Sequence, residues 1–146
     1  MPTVTTREYH PSSGALLGNA TVLDFGTITA GSHSRVKVLD FVFNNVSNVG
    51  NIKIGLIASG GITVIASNVG HFGIEDSSAF SSTKANAPLT IHFAGLNSTG
   101  LASDSNNKPV GARTSNISNY VYLDIELGST NLGGGNGAYK IFFDYS

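Results

Sequence analysis

The residues with the greatest chemical potential are four histidines and two closely spaced carboxylates. Asp124 and Glu126 share one face of a predicted strand, and such a pair could act in acid–base catalysis or bind calcium. No D-x-D-x-D-G loop accompanies them, so we expect an exposed polar face. The histidines show neither H-x-H nor H-E-x-x-H spacing, and a metal site would have to be assembled from distant strands. We therefore expect solvent-facing or turn positions, without a metal or cofactor, for His10, His33, His71 and His92.

Other catalytic patterns are missing from the sequence. No G-x-S-x-G elbow occurs, and the chain contains no cysteine, which excludes a thiolate nucleophile and a cysteine zinc site. The glycine run at 133–135 joins two predicted strands, whereas a phosphate-binding loop joins a strand to a helix. The sequence therefore predicts a protein that is not an enzyme and has no catalytic residues.

Composition predicts one all-β domain. The chain has 146 residues, of which only 12% are charged, while Gly, Ser, Thr and Asn are abundant. Few Glu, Lys and Ala remain for exposed helix faces, and many Phe, Tyr, Val and Ile suit a pleated sheet. A net charge of −1 argues against nucleic acid as a partner. No apolar segment of membrane-spanning length and no signal peptide are expected.

Apolar residues alternate with polar ones in most of the predicted strands, which indicates sheets with one buried face. We predict an immunoglobulin-like antiparallel β-sandwich of about seven to nine strands, with a jelly roll as the alternative. The buried parity changes between Val38 and Leu39, which a β-bulge would accommodate. The predicted strands are 20–25, 33–44, 51–58, 62–66, 72–75, 89–94, 117–127 and 138–145.

The first 19 residues are polar and contain Gly, Pro and Ser, with few apolar positions. We expect an extended N-terminal arm over 1–19 and a single sandwich domain over 20–146. The arm would order on a partner, and its apolar anchors would be Val4, Tyr9, Leu16 and Leu17. Further partner contacts are predicted at aromatic residues on outward strand positions, namely Tyr120, Tyr122 and Phe142.

Part of the chain resembles ASH-type immunoglobulin-like domains, in which a D-F-G turn leads into a strand ending in Asn and then a G-x-hydrophobic-x-hydrophobic strand. The residues that carry this resemblance are Leu23-Asp24-Phe25-Gly26-Thr27-Ile28, Val36 to Phe43, Asn44-Asn45, Gly50-Asn51-Ile52-Lys53-Ile54 and Gly137-Ala138-Tyr139-Lys140-Ile141. The resemblance implies an immunoglobulin-like fold. It does not indicate a function, because such domains serve adhesion, assembly and carbohydrate binding alike.

In overall style the chain is similar to accessory structural proteins of tailed bacteriophages. That similarity implies a non-enzymatic virion protein made in the host cytoplasm, in the first place a capsid decoration (cement) protein. Its expected partners are the major capsid protein or another virion protein, and further copies of itself in a trimer or dimer. The alternative is a glycan- or receptor-binding module of a tail fibre or adhesin, with its site on the 95–116 loop beside exposed Tyr120 and Tyr122.

Overall fold

The computed structural model describes residues 1–59, 70–93, 101–128 and 136–146. Within these ranges the regular secondary structure consists of β-strands apart from one short helix, α1. The predicted all-β class is thereby confirmed. The elements are β1 (Thr3–Tyr9), β2 (Leu16–Asn19), β3 (Lys37–Asn44), β4 (Val49–Ser59), β5 (Gly70–Ser77), α1 (Ser82–Ala85), β6 (Lys108–Pro109), β7 (Tyr120–Leu127) and β8 (Asn136–Tyr145).

The strands form two antiparallel sheets. One has five strands in the order β2-β1-β3-β7-β5, and the other has three in the order β6-β4-β8. From β3 onward each successive strand belongs to the opposite sheet. Because of these crossings, residues that are distant in sequence become neighbours within one sheet.

Five predicted strands overlap β3, β4, β5, β7 and β8. The strand predicted at 20–25 is wrong, because no described strand lies between β2 and β3. Within 89–94 the described residues contribute a single bridge, between His92 and Gly73. The prediction for 62–66 lies outside the described residues.

The two sheets enclose a hydrophobic core built from alternate residues of the facing strands. The five-stranded sheet supplies aromatic and aliphatic side chains from β3, β5 and β7, and β4 and β8 cover them from the other side. This arrangement is a β-sandwich, in which each strand buries every second side chain. The buried members are Leu39, Phe41, Phe43, Ile52, Ile54, Leu56, Phe72, Ile74, Phe93, Val110, Val121 and Leu123.

A second hydrophobic cluster lies on the opposite face of the five-stranded sheet. The segment that follows β5, including α1, covers this face, and the buried members are Tyr9, Val36, Val38, Ala85, Leu89 and Tyr122. The bulge predicted near Val38 is therefore wrong. The pairing of β3 with β1 runs without interruption, so Val38 enters the second cluster and Leu39 the first. Both faces of β3 are buried, which produces the change of parity.

Residues 3–9 are an integral strand of the larger sheet. β1 pairs with β3 from Thr3 opposite Asn44 to Tyr9 opposite Val38. The predicted arm is corrected accordingly, because β1 and β2 belong to the sandwich. β1 also carries Arg7, which donates hydrogen bonds from Nε and Nη2 to the carboxylate of Asp40 at 2.8 and 2.6 Å.

Asp40 is fully buried, and Arg113 and the Tyr9 hydroxyl also donate to it. A buried carboxylate is tolerated only when it is paired and hydrogen-bonded, and Asp40 has three such partners. The charge of Arg7 is neutralised by a partner 33 residues away. Separately, none of the helices in the described part of the chain is long and apolar enough to cross a membrane.

Candidate functional site

Three of the four histidines meet at Glu126 on the outer face of the five-stranded sheet. His71 on β5 is the direct cross-strand partner of Glu126 on β7. His33, in the segment before β3, forms a bridge with Glu126 from the other side of β7. His92 pairs with Gly73, which lies two residues beyond His71 on β5. Because side chains alternate along a strand, these positions face the same way and their polar ends converge.

Short distances separate the ligand-type atoms of this cluster. The Nε2 atom of His92 lies 3.5 Å from Oε2 of Glu126, and Nε2 of His33 lies 3.7 Å from the same oxygen. The rings of His71 and His92 are stacked, with centroids 4.5 Å apart and an interplanar angle of 17°. His71, His92 and Glu126 each offer one ligand atom, and these atoms all lie within 4.8 Å of one another.

Asp124 supports the cluster from beneath. Its Oδ2 atom accepts hydrogen bonds from Nδ1 of His33 at 3.0 Å and from the backbone N–H of Leu89 at 3.1 Å. Asp124 is fully buried, whereas the side chains of His33 and Glu126 remain about a quarter to a third exposed, at 25% and 32%. Since a carboxylate oxygen accepts, Nδ1 of His33 donates the proton of this hydrogen bond, and Nε2 of the same ring faces Glu126.

Two buried polar atoms of this region make no hydrogen bond within the described residues. They are Nε2 of His92 and Oδ1 of Asp124. Most buried side-chain polar atoms have a hydrogen-bond partner, and exceptions often mark an ion, a water or a functional role. Imidazole nitrogens and a carboxylate oxygen form a donor set suited to a divalent transition-metal ion.

The expectation of separate solvent-facing or turn histidines is correct for His10 and wrong for the other three. His10 lies in the turn between β1 and β2, where its Nδ1 accepts hydrogen bonds from the backbone of Ser12 and Ser13. The exposed carboxylate face is likewise wrong for Asp124, which is buried. The cluster was missed because it depends on β5 pairing with β7, and local spacing carries no information about that pairing.

The predicted aromatic contact residues are largely covered. Tyr122 is fully buried, and its hydroxyl interacts with Ser77 Oγ at 3.0 Å and accepts from the N–H of Ser81 at 2.7 Å, so its predicted exposure is wrong. Tyr120 is half-buried, in edge-to-face contact with Tyr9 and beneath the guanidinium of Arg113.

Phe142 is half-buried on β8, opposite Lys53 of β4. Among the four predicted arm anchors, two pack inside the domain and two are exposed. Val4 packs against the inter-sheet core and Tyr9 belongs to the second cluster. The exposed pair, Leu16 and Leu17, lies on the edge strand β2.

Large apolar side chains are exposed at the β2 edge of the five-stranded sheet. Leu16 and Leu17 are 55% and 58% exposed, and Val22, just beyond the strand, is 80% exposed. An open depression of about 260 Å³ lies beside the strand and is lined by Glu8 and residues 17–22. We define this region, residues 16–22, as the β2 edge.

Comparisons of the chain with protein-family models, curated proteins and solved structures gave no match. The resemblance to ASH-type domains therefore stays a prediction from the residues that carry it. The β2 edge and the histidine cluster are the two features of the described residues from which a function can be inferred.

Proposed function

We propose that this chain is a non-enzymatic structural protein of a virus particle, with capsid decoration as its role. Its partner would be the major capsid protein or another virion protein, contacted through the β2 edge. The observation that carries the proposal is the exposure of Leu16 and Leu17 side by side on an edge strand. Exposed large apolar side chains that lie close together on a folded surface are typical of sites that bind other proteins.

The shape of the β2 edge favours contact through side chains. β2 has only four residues, and its pairing with β1 shifts register between Glu8 and Tyr9. Short, bulged edges oppose the addition of further strands, which would otherwise produce open-ended aggregation. A partner would therefore cover the leucines and enter the neighbouring depression, whereas the sequence alone favoured strand addition by a flexible arm.

The composition of the chain is compatible with this role. A sandwich without cysteine folds without disulfides, as assembly in a reducing cytoplasm requires. A shell presents many identical sites, so modest affinity for each copy becomes strong through clustering. We further propose a closed trimer or dimer, because identical copies around a symmetry axis present the same patch. Phe142, half-buried on the second sheet, would be a secondary contact.

The positions of Tyr120 and Tyr122 argue against the alternative, a glycan- or receptor-binding module that uses these two residues. An aromatic side chain must expose a ring face to stack on a sugar. Tyr122 has no exposed surface, and Tyr120 is covered by Arg113. A receptor contact at the β2 edge would remain compatible with the same exposed leucines.

The test mixes the purified chain with shells assembled from the proposed capsid partner and sediments them. We expect the wild type to sediment with the particles and the double variant Leu16→Ser/Leu17→Ser to remain in the supernatant. The matched control is Leu101→Ser, since Leu101 is 61% exposed elsewhere on the surface. All three proteins should have free energies of unfolding within about 0.5 kcal/mol, because the substitutions are exposed. Co-sedimentation of the double variant at wild-type levels, or a wild type that never sediments, would overturn the proposal.

A further inference from the structure

We propose that His71, His92 and Glu126 bind a single divalent transition-metal ion of the Zn²⁺ class, and that His33 and Asp124 hold Glu126 in position for it. This site lies on the outer face of the five-stranded sheet, and it is independent of the proposed particle contact at the β2 edge. It is defined by its three ligand residues and is called the histidine–carboxylate site below.

The distances fit a metal ion after small side-chain movements. Zn²⁺ lies about 2.0–2.2 Å from imidazole nitrogen or carboxylate oxygen, so two ligand atoms at a tetrahedral angle are roughly 3.4 Å apart. The His92 Nε2 to Glu126 Oε2 distance is 3.5 Å. All three ligand atoms lie within 4.8 Å of one another, so each of the two distances to His71 must contract by at most about 1.4 Å. Both stacked imidazoles can adjust by rotation about χ2, which is a broad torsion.

The donor types select the class of ion. Two imidazole nitrogens and one carboxylate oxygen suit Zn²⁺ and its neighbours in the first transition series. Mg²⁺ and Ca²⁺ prefer six or more oxygen ligands, whereas among the three ligand residues of this site Glu126 alone supplies oxygen. Three protein ligands leave a fourth coordination position for water or, after a movement of its side chain, for His33. Nε2 of His33 lies 3.7 Å from Oε2 of Glu126.

An unpartnered nitrogen points to a ligand independently of these distances. Nε2 of His92 is buried and makes no hydrogen bond to any described residue, although a glutamate oxygen lies nearby. Leaving a buried polar atom unsatisfied is destabilising, and coordination to a metal would remove that cost. Partial exposure of the histidines and of Glu126 leaves a route for an ion to enter.

The surroundings provide the outer support that metal sites require. Ligating or adjacent histidines commonly donate their second ring N–H to a carboxylate, which fixes the tautomer and the orientation of the ring. His33 donates from Nδ1 to the buried Asp124, and its other nitrogen faces Glu126. His33 therefore acts as a positioning residue for Glu126. The same carboxylate of Asp124 accepts from the N–H of Leu89, which ties the segment containing His92 to β7.

Binding would join segments that lie far apart in the sequence. His71 belongs to β5, Glu126 to β7 and His92 to the segment that covers the second hydrophobic cluster. A ligand that binds only the folded chain raises its stability in proportion to the logarithm of ligand concentration over Kd. The expected effect is a rise in the thermal midpoint that grows with the concentration of Zn²⁺.

The first experiment titrates ZnCl2 into tag-free, chelator-treated protein by calorimetry. We expect one ion per chain, and at least a tenfold loss of affinity in His92→Gln and in Glu126→Gln. His10→Gln is the matched control and should bind as the wild type does, because His10 lies in the turn between β1 and β2. MgCl2 titrated under the same conditions should give no saturable binding.

The second experiment separates the positioning residue from the ligands. His33→Gln should keep the stoichiometry of one and weaken binding about 10-fold to 100-fold, as loss of outer-shell support does elsewhere. Thermal midpoints measured in chelator establish whether each variant is folded. In the wild type, addition of Zn²⁺ should shift the imidazole NMR signals of His71 and His92 and leave those of His10 unchanged. Absence of Zn²⁺ uptake by the wild type, or an equal loss of affinity in His10→Gln, would overturn the proposal.

Discussion

Gly73 on β5 lies directly opposite Asp124 on β7, and the carboxylate of Asp124 occupies the space that a side chain at position 73 would fill. A methyl group there would overlap Oδ1 of Asp124 and lie 2.9 Å from Cβ of Leu89. The glycine is therefore required by close approach, and it allows a buried carboxylate to stand beneath His33 and Leu89. The position of Asp124 beneath the histidine–carboxylate site therefore depends on the absence of a side chain at Gly73.

Gly73→Ala should reduce the free energy of unfolding by about 1–3 kcal/mol, because an added carbon in a filled space forces neighbouring atoms to move. The matched control is Gly50→Ala on β4, where no atom lies within 4 Å of the added carbon. That control should change stability by at most about 0.5 kcal/mol. Urea denaturation of both variants measures the difference. Equal stabilities would mean that Asp124 can move aside without loss.

Tyr122 and Tyr139, whose hydroxyls are both buried, should respond in opposite ways to loss of the hydroxyl. Tyr122→Phe should cost about 1–3 kcal/mol, because it removes the acceptor of the Ser81 N–H at the start of α1 and the bond to Ser77. The hydroxyl of Tyr139 is buried without a hydrogen bond to any described residue, and burial, with the nearby charge of Asp124, raises its pKa. Tyr139→Phe should therefore be neutral or stabilising. Thermal denaturation distinguishes the two, and a large loss in Tyr139→Phe would contradict the assignment.

The buried Asp40 should contribute to acid sensitivity. Burial alone raises the pKa of its carboxyl, but hydrogen bonds from Arg7, Arg113 and Tyr9 outweigh burial and hold it below the ordinary value of 3.8. The unfolded chain therefore binds this proton more tightly than the folded chain. Stability from ionised Asp40 is fully present above that ordinary value and is lost as the pH falls through the lower pKa of the folded state.

Urea denaturation at several pH values between about 5 and about 2.5 would measure this dependence as the slope of unfolding free energy against pH. Asp40→Asn should lower stability at neutral pH and give a shallower slope in the acid range. Arg7→Met should also flatten the slope, because it removes two of the hydrogen bonds that favour the ionised carboxyl. A slope in Asp40→Asn identical to that of the wild type would contradict this account.

The second hydrophobic cluster should matter as much as an ordinary core. Leu89 is 2% exposed within it, so Leu89→Ala should cost about 2–5 kcal/mol through lost burial and the cavity that remains. Leu101→Ala, at a position that is 61% exposed, serves as the control and should cost at most about 0.5 kcal/mol. Chemical denaturation of both variants checks the prediction. A small effect at Leu89 would mean that the covering segment contributes little to stability.

The local sequence pattern was sufficient to predict the sandwich. It was not sufficient to predict that the outer face of the five-stranded sheet is also buried. The alternation of Leu39, Phe41 and Phe43 identified one side of β3 correctly. The apolar residues of opposite parity, Val36 and Val38, were explained by a bulge because a second cluster could not be foreseen. For β1, the β-branched run at 3–6 carried a strand signal, but the polar composition of the first 19 residues, with few apolar positions, led to the prediction of an arm.

The sequence by itself determined the all-β class, five of the strands and the apolar sides that meet between the sheets. Those properties follow from residue type and a period of two, which are local. Only the tertiary structure decided that Asp40 neutralises Arg7, that Tyr122 and Asp124 are buried, and that three histidines meet at Glu126. Each of these depends on which strands pair and on what covers the sheet, and such contacts join residues whose separation along the chain carries no periodic signal.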